Sequence, residues 1–442
     1  MRKKKHLPFS PEEKFLVSSS NNIGTIRHSK LVRRIFRSLP VLKNRNYRLY
    51  FAGQLISIIG SWMQVAALAW LTLQLTNSAA LVGLVSAMTG IPALFFALFG
   101  GIIVDSFSKK NILLVTNFCA MILAFLLGFL TVFGLINLTE ILVIAFVGGI
   151  INAIFTPAHF AYISELSKKS TIISAMSINA SVSSLGRIIG PAIAGILIVL
   201  VGSGGAFILN GISYIAVLVA LLLVNTPYKV TNQHLRPLQA IKEGLLYSFR
   251  HPMIRVIFLY VSAMSIFAWS FSTIIPVMAK SVFHSDAQGM GYLLSAVGLG
   301  AIFATVVVST FANRFSKLTF ILLGNTFFAV SLFLFSMTAN LYLGIFYLFL
   351  VGAGLVSLNV VLGTMVQQMT DEKYHGRVSS LYFLFYAGLM FIGNIEIGYL
   401  TDFVGAGNAL RLNTVIVFII GLFIYYSRTH VRQAHQRFLT GS

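Results

Sequence analysis

The stretch DSFSKKNILLVTN, Asp105 to Asn117, returns as NRFSKLTFILLGN, Asn313 to Asn325, at an offset of 208 residues and without a gap. Phe107, Ser108, Lys109 and Asn117 meet Phe315, Ser316, Lys317 and Asn325 in this alignment. Self-similarity at so long an offset marks a duplicated unit. Around the two copies, apolar stretches long enough to cross a hydrocarbon core of about 30 Å as helix centre on Ile59, Pro92, Ala124, Gly148, Arg187, Tyr214, Ser265, Gly300, Val330, Gly354, Met390 and Phe418. Each copy follows the second such stretch of its half. The expected fold is all-α, with twelve transmembrane helices in two six-helix pseudo-symmetric bundles over residues 48–224 and 253–428. A central cytoplasmic loop, 225–252, joins them, and cytoplasmic tails occupy 1–47 and 429–442.

Composition agrees: 57% of the 442 residues are hydrophobic and 10% charged, against roughly 25% charged in a soluble domain. The apolar runs are continuous, which excludes the ten-residue alternation of a β-barrel. The net charge of +21 invites a nucleic-acid reading, which the placement of the 32 Lys and Arg removes. All but Lys280, Arg411 and Arg187 fall in the tails and on alternate connections. That asymmetry is the positive-inside rule and puts both termini in the cytoplasm. The first apolar run is too long for a cleaved signal peptide and is expected to stay as an anchor. Within the basic N-terminal segment, SKLVRRIFRSL (Ser29 to Leu39) reads either as a short amphipathic helix on an anionic leaflet or as an unstructured topological tail. Cys119 is the single cysteine and can form no internal disulfide.

Charge inside the apolar runs is rare enough to inspect residue by residue. In SVSSLGRIIGPAIAG (Ser181 to Gly195) an arginine at membrane depth costs roughly 2.5–3.5 kcal/mol. Asn179, Ser183 and Arg187 fall at i, i+4 and i+8 and form one polar face, while Gly186, Gly190 and Gly195 make a stripe for close packing beside the kink-forming Pro191. Arg187 is expected either to meet an anionic substrate group or an acid, or to bond backbone carbonyls at the kink. Gln54, Ser57, Ser61 and Gln64 share one face of the first span, and line a cavity or bond neighbouring helices. Ser357, Thr364 and Gln368 repeat the pattern in the tenth span, and Asn152 with Thr156 does so more weakly in the fourth.

Among the acids only Glu396 falls inside a span, which makes it the candidate proton carrier unless it is merely wet or paired. At the end of the second span Gly101, Asp105, Lys109 and Lys110 read as a conformational latch, or as a plain span end with topology charges at the lipid surface. His6, His28, His159, His234, His251, His284, His375, His430 and His435 all read as lying in tails, connections or span edges, without metal-ligand spacing. No nucleophile elbow or phosphate loop is present. An enzyme or a membrane scaffold is therefore disfavoured, and no metal or cofactor is expected.

In sequence order, GQLISIIGSWMQ (Gly53 to Gln64), GGIIVDSFSKK (Gly100 to Lys110), NASVSSLGRIIGPAIAG (Asn179 to Gly195), FILNGISY (Phe207 to Tyr214), EGLLYSFRHP (Glu243 to Pro252) and DEKYHGRVSSLY (Asp371 to Tyr382) resemble the major facilitator superfamily. The likeness is to its drug–proton antiporter branch, related to enterobactin exporters and macrolide efflux pumps, and covers about 42–427. It implies a bacterial inner-membrane carrier working by alternating access on the proton gradient, with Gly376 and Arg377 in a conformational turn. Ser106 and Ser108 depart from the usual basic residue and glycine of the loop after the second span. Phe155 and His159 stand where relatives often carry an acid and an arginine, and His375 replaces the first basic residue of the turn. The resemblance thus implies a monomeric exporter of a small amphiphile, a siderophore or a drug, with protons and the bilayer as its other partners and no nucleic acid. A lysophospholipid or other lipid flippase of the same fold is the alternative.

Overall fold

The computed structural model describes residues 40–168, 170–225, 237–311 and 317–426. Among these there is no strand, and eleven helices are long and apolar enough to cross a membrane. A 3₁₀ turn (Pro40–Lys43) leads into α1 (Arg45–Thr76), α2 (Ala79–Ser106), α3 (Lys109–Val132), α4 (Leu138–Leu166) and α5 (Ile172–Leu223). A shorter α6 (Pro237–Arg250) precedes α7 (Pro252–Val282), α8 (Ala287–Phe311), α9 (Lys317–Met337), α10 (Leu341–Met369), α11 (His375–Val404) and α12 (Ala406–Tyr426). The expected amphipathic segment 29–39, the rest of 1–39 and the tail 429–442 lie outside the described residues, while the end of the expected N-terminal tail is the turn Pro40–Lys43 and the start of α1.

Helix ends follow the local sequence. Asn44 caps α1 by accepting from the Asn46 amide, and Asn77 ends it in the left-handed region at φ 50°. Asn137 and Glu140 form a reciprocal capping box at the start of α4. The 52 residues of α5 would make a straight rod of about 78 Å. It is not straight: Gly202 sits at φ 74°, ψ 170°, backbone space that essentially only glycine occupies. Neighbour contacts show the chain reversing there. The Tyr47 hydroxyl donates to Ala175 O, and Gly186 and Gly190 pack on Ile58 and Trp62, so the first limb runs along α1 in the same direction. Gly60 then meets Asn210 and Ser213, Gly53 meets Val217 and Ala220, and the Asn46 amide donates to Asn225 O, so the second limb returns. Eleven helices therefore make twelve crossings.

The end of the bundle that carries Lys109, Lys110, Arg250, Arg255, Lys373 and Arg377 is here called the basic end, and the opposite one the far end. At the basic end the Asn44 side chain donates to Leu166 O (2.7 Å) and Lys110 Nζ to Val224 O (2.6 Å), tying the termini of α1, α3, α4 and α5 together. Residues 225–252 are expected to be a loop, yet they contain α6, whose sequence PLQAIKEGLLYSFR is amphipathic.

The duplicated Asn117 and Asn325 are each 2% exposed but are used differently. Asn117 donates to Leu113 O of its own helix, whereas Asn325 accepts from the Tyr260 hydroxyl and donates to Val417 O, joining α7, α9 and α12. Large apolar side chains such as Leu200, Phe303 and Phe423 cover the outer faces, as lipid contact requires.

Two helix pairs join the halves. In one, Gly83 of α2 packs against the Asn394 backbone of α11, and Gly398 against Ala79 and Ala80. In the other, Gly195 of α5 packs against Ala287 and Gln288 of α8, Gly291 against Pro191, and the Ser295 hydroxyl donates to Ile188 O. These contacts run from the far end to mid-depth, where Leu94 meets Gly388 and Ile188 meets Gly298. Among the described residues neither α10 nor the first turns of α11 makes comparable contact with the N-terminal half, so the close seams lie at the far end and mid-depth.

Gly202→Val is expected to destabilise the protein by about 1–3 kcal/mol, the scale of forcing a side chain into such backbone space. Thermal unfolding of the detergent-solubilised protein checks this, with Gly148→Ala, whose added methyl meets open space, as the neutral comparison.

Candidate substrate pathway and its gates

The far end is closed by a carboxylate set on a helix terminus. Asp402, near the end of α11, accepts from the Ser78 hydroxyl (2.6 Å), the Ala79 amide (2.8 Å) and the Ala80 amide (3.1 Å). The amides are orphan donors in the first turn of α2, and the positive end of that helix favours the negative charge. Ser78 caps the same helix by accepting from the Leu81 amide, so a single hydroxyl serves both the cap and the gate. Lys280 of α7 donates to the Asn77 side chain (2.6 Å), adding a further bond between the halves at this end. The sequence places Asp402 at a span end and assigns it no role; the signal available was an acid at the end of one span and an N-cap serine at the start of another.

At the basic end the C-terminal half is strapped by α6. Arg377 ion-pairs with Glu243 and lies over the Tyr374 ring at 5.6 Å. Tyr247 stacks on Tyr374 with centroids 4.3 Å apart, and its hydroxyl accepts from the Asp371 amide. His375 bonds Thr370 O through Nε2 (2.6 Å), closing the end of α10, while Gly376 is surrounded by open space. In the N-terminal half, Lys109 is 7% exposed and lies 4.0 Å from Glu165, so it joins α3 to α4 rather than reaching the lipid surface. Lys110 spends its ammonium group on Val224 O. Gly101 and Asp105 belong to the last turns of α2, and their side chains lie outside the described residues.

The polar residues of α1 and α5 expected on the pathway fall into three groups. Ser61 donates to Ser57 O and lies 3.2 Å from the Tyr214 hydroxyl, and Gln64 accepts from Asn210 (2.6 Å). These bonds tie α1 to the second limb of α5. Ser57, 2% exposed, is enclosed on the same face. Gln54 and Asn179 form a second group with Tyr50 and His159, around a small cavity also lined by Tyr47, Phe51, Ile163 and Val182. Here the expectation that His159 lies at a span edge is corrected. Because α4 continues to Leu166, the imidazole is 6% exposed and bonded through both nitrogens, to the Tyr50 hydroxyl and to Asn179 Oδ1.

Arg187 forms the third group, with Ser183 on the preceding turn of α5. Gly186 and Gly190 face α1, Ile188 and Pro191 face α8, and a helix turns about 100° per residue. Arg187 therefore occupies the strip between these faces, opposite the outward-facing Leu185 and Ile196. Its guanidinium lies 5.1 Å over the Trp62 ring, its Nε is buried without a bonding partner, and no ion pair reaches it among the described residues. A cation on an indole face recovers part of its lost hydration, about 2 kcal/mol when desolvated.

In the C-terminal half, Ser357 and Thr364 donate to Ala353 O and Val360 O of their own helix, and Thr364 and Gln368 are exposed. Asn152 is exposed and accepts from Thr156. Glu396 accepts from Asn413 Nδ2 (2.9 Å), a bond that joins α11 to α12.

A family model described as a transmembrane secretion effector matches residues 37–438. The chain belongs to this family of major facilitator transporters. The staphyloferrin A transporter of Staphylococcus aureus is 27% identical over 287 residues, covering 64% of this chain and 72% of the relative. The enterobactin exporter EntS of Escherichia coli O1:K1 is 25% identical over 356 residues, covering 78% and 83%. Among solved structures, the nucleoside transporter NupG superposes with a TM-score of 0.70 at 11% identity, over 86% of this chain and 98% of that one. A bacterial homologue of the human lysosomal transporter Spinster gives 0.68 at 13% identity, over 90% and 98%. At such identities these structures bear on the fold alone. The chain is thus a multi-pass membrane transporter, and its family and relatives are transporters rather than enzymes.

Asp402→Ala is expected to shift the protein toward a state open at the far end, because three donors of α2 and Ser78 lose their acceptor. Spin labels at Leu135 and Tyr342, both far-end positions, in a Cys119→Ala chain would show a longer-distance population than the Asp402 parent. An unchanged distance distribution would mean that backbone packing alone keeps this end shut.

Proposed function

We propose that the chain is a monomeric secondary exporter in the bacterial inner membrane, carrying a small amphiphilic compound of siderophore or drug-like type out of the cytoplasm by alternating access. The basic end faces the cytoplasm in this reading, as the distribution of Lys and Arg favours. The seams and the Asp402 contact close the opposite end, so the described state is read as the one that loads substrate. Protons drive the cycle, with Glu396 as the intramembrane carboxyl of the C-terminal half. Gln54, Ser57, Ser61, Gln64, Asn152, Asn179, Ser183, Ser357, Thr364 and Gln368 remain the polar groups among which the pathway is sought.

The observation that carries this reading is Arg187. A guanidinium at the junction of α1, α5 and α8, held on Trp62 and with no ion pair among the described residues, suits the recognition of an anionic group. Burying the charge is costly, and a substrate carboxylate, phenolate or similar group offsets the cost on binding. The similarity to a staphyloferrin A transporter and to enterobactin exporters supports the siderophore class.

Arg187→Ala is expected to cut export of staphyloferrin A by about tenfold or more, the equivalent of roughly 1.4 kcal/mol or more of lost recognition. Arg187→Lys should retain part of the activity, since it keeps the charge and loses the planar fork. Everted vesicles with the compound supplied outside and a proton gradient imposed give the measurement. Uptake that ignores both Arg187→Ala and an uncoupler would sink the reading.

A further inference from the structure

We propose that Lys280 and Asp402, which hold the N-terminal half separately in the described state, exchange those partners for each other when the far end opens. Both belong to the C-terminal half, and both hold the same turn of the other half. Lys280 of α7 donates to Asn77 Oδ1 at 2.6 Å, and Asp402 of α11 accepts from the Ser78 hydroxyl and from the Ala79 and Ala80 amides. Asn77 and Ser78 are consecutive in the chain, so two helices bring a cation and an anion to neighbouring points of the α1–α2 turn.

The helices that carry them are packed side by side. The Thr273 hydroxyl of α7 donates to Asn394 Oδ1 of α11 at 2.9 Å, and Gly393 packs against Ile266 O. Both helices run toward the far end from this contact. Lys280 lies seven residues beyond Thr273, and Asp402 eight beyond Asn394. At 1.5 Å per residue each has risen by about 10–12 Å, which leaves the two charges at one level on adjacent helices. Both residues are exposed, and the lysine stem has four flexible carbons with which to swing. In the closed end they are not ion-paired with each other, because each is offered a partner of its own, three donors in the case of Asp402.

Opening withdraws the N-terminal half from both at once. Lys280 loses a neutral acceptor and Asp402 loses its three donors. The other described acids, lysines and arginines at this end are committed elsewhere. Glu140 completes the capping box of α4, Asp286 accepts from the Gln288 and Gly289 amides at the start of α8, and Arg411 donates to Asn408 Oδ1 and Ser336 O. Lys280 and Asp402 are left as the opposite charges on neighbouring helices of one half.

Their pairing has a consequence for release, which rests on the export reading above. A mouth lined by a bare lysine attracts an anionic cargo that must leave, and a bare carboxylate there repels it. Once paired, the two groups do neither. The same side chains thus close the far end in one state and neutralise its mouth in the other.

The experiment is carbodiimide cross-linking of the full chain in lipid nanodiscs, which joins a lysine amine to a carboxylate in direct contact, read by mass spectrometry as the peptide pair carrying Lys280 and Asp402. Gly83→Val wedges the far end open, since an added side chain meets the Asn394 backbone. Spin labels at Leu135 and Tyr342 in a Cys119→Ala chain report that opening independently. Expected is a cross-link about fivefold more abundant in Gly83→Val than in the parent, the equilibrium factor of the strongest exposed pairs. It should weaken as salt is raised and be absent in Lys280→Met and Asp402→Asn. Reversing both charges, Lys280→Asp with Asp402→Lys, should restore it in the opened chain, which a merely structural role for either residue would not do. Should Gly83→Val fail to fold, Asn77→Ala with Ser78→Ala removes the two side-chain partners without a steric change and takes its place. A chain that the labels show open and that yields no cross-link overturns the exchange alone, as does a cross-link equally abundant in parent and opened chains. Labels that keep the closed distance in every one of these chains remove the opening itself, and with it both the exchange and the alternating-access reading.

Discussion

Backbone meets backbone where the two halves join, and the rest of the molecule depends on those two seams. Lipid offers helices no hydrophobic reason to associate, so close van der Waals packing between small residues must supply the attraction. Gly83 and Gly398 serve the α2–α11 seam, and Gly195, Gly291 and Gly298 serve the α5–α8 seam. Both seams occupy the far end and mid-depth, which leaves the basic end free to part. Tight packing there does not extend to a continuous interface, and a pair of narrow seams can roll where a broad one would resist.

Tight seams also dictate where polar groups go. In α1 the residues Ser61 and Gln64 are consumed in holding the second limb of α5, and Asn325 is consumed in joining α7, α9 and α12. Such bonds rigidify each half as a unit. Among the described residues, two of the buried polar atoms without a bonding partner, Gln54 Oε1 and Arg187 Nε, lie on one packed helix pair, α1 and α5. Rigid halves with spare polar capacity beside the seam are what a rocking carrier requires.

Much of this architecture was legible from residues alone. The internal repeat and the spacing of apolar runs gave twelve crossings, and the GSGG run at 202–205 is the visible sign of the reversal at Gly202. Arg187 was legible because a charge in an apolar run is rare. Less was legible where a contact spans the halves: Asp402 and Ser78 lie 324 positions apart, and neither residue signals its partner. His159 was misjudged for a simpler reason. The apolar run of the fourth span fades before the helix does, so hydropathy stops short of the last turns of α4 in which the imidazole is buried. Polar stripes, finally, announce a helix face without saying whether a substrate or another helix occupies it, since both satisfy the same hydrogen-bonding demand.

Magnitudes explain how a gate held by one carboxylate can still open. A charge at a helix terminus is worth about 0.3–1 kcal/mol when exposed and up to about 2 kcal/mol when partly buried. Reversing a two-state population from 1:99 to 99:1 takes about 5.5 kcal/mol of differential binding. Asp402 on α2 thus supplies a fraction of the bias, and the glycine seams supply the remainder, so no single contact locks the far end. In the reading proposed above, an anion that meets Arg187 in only one state acts on the larger scale of an intramembrane guanidinium, several kcal/mol. That contact outweighs the Asp402 latch, so it is the glycine seams, and not the carboxylate, that balance it.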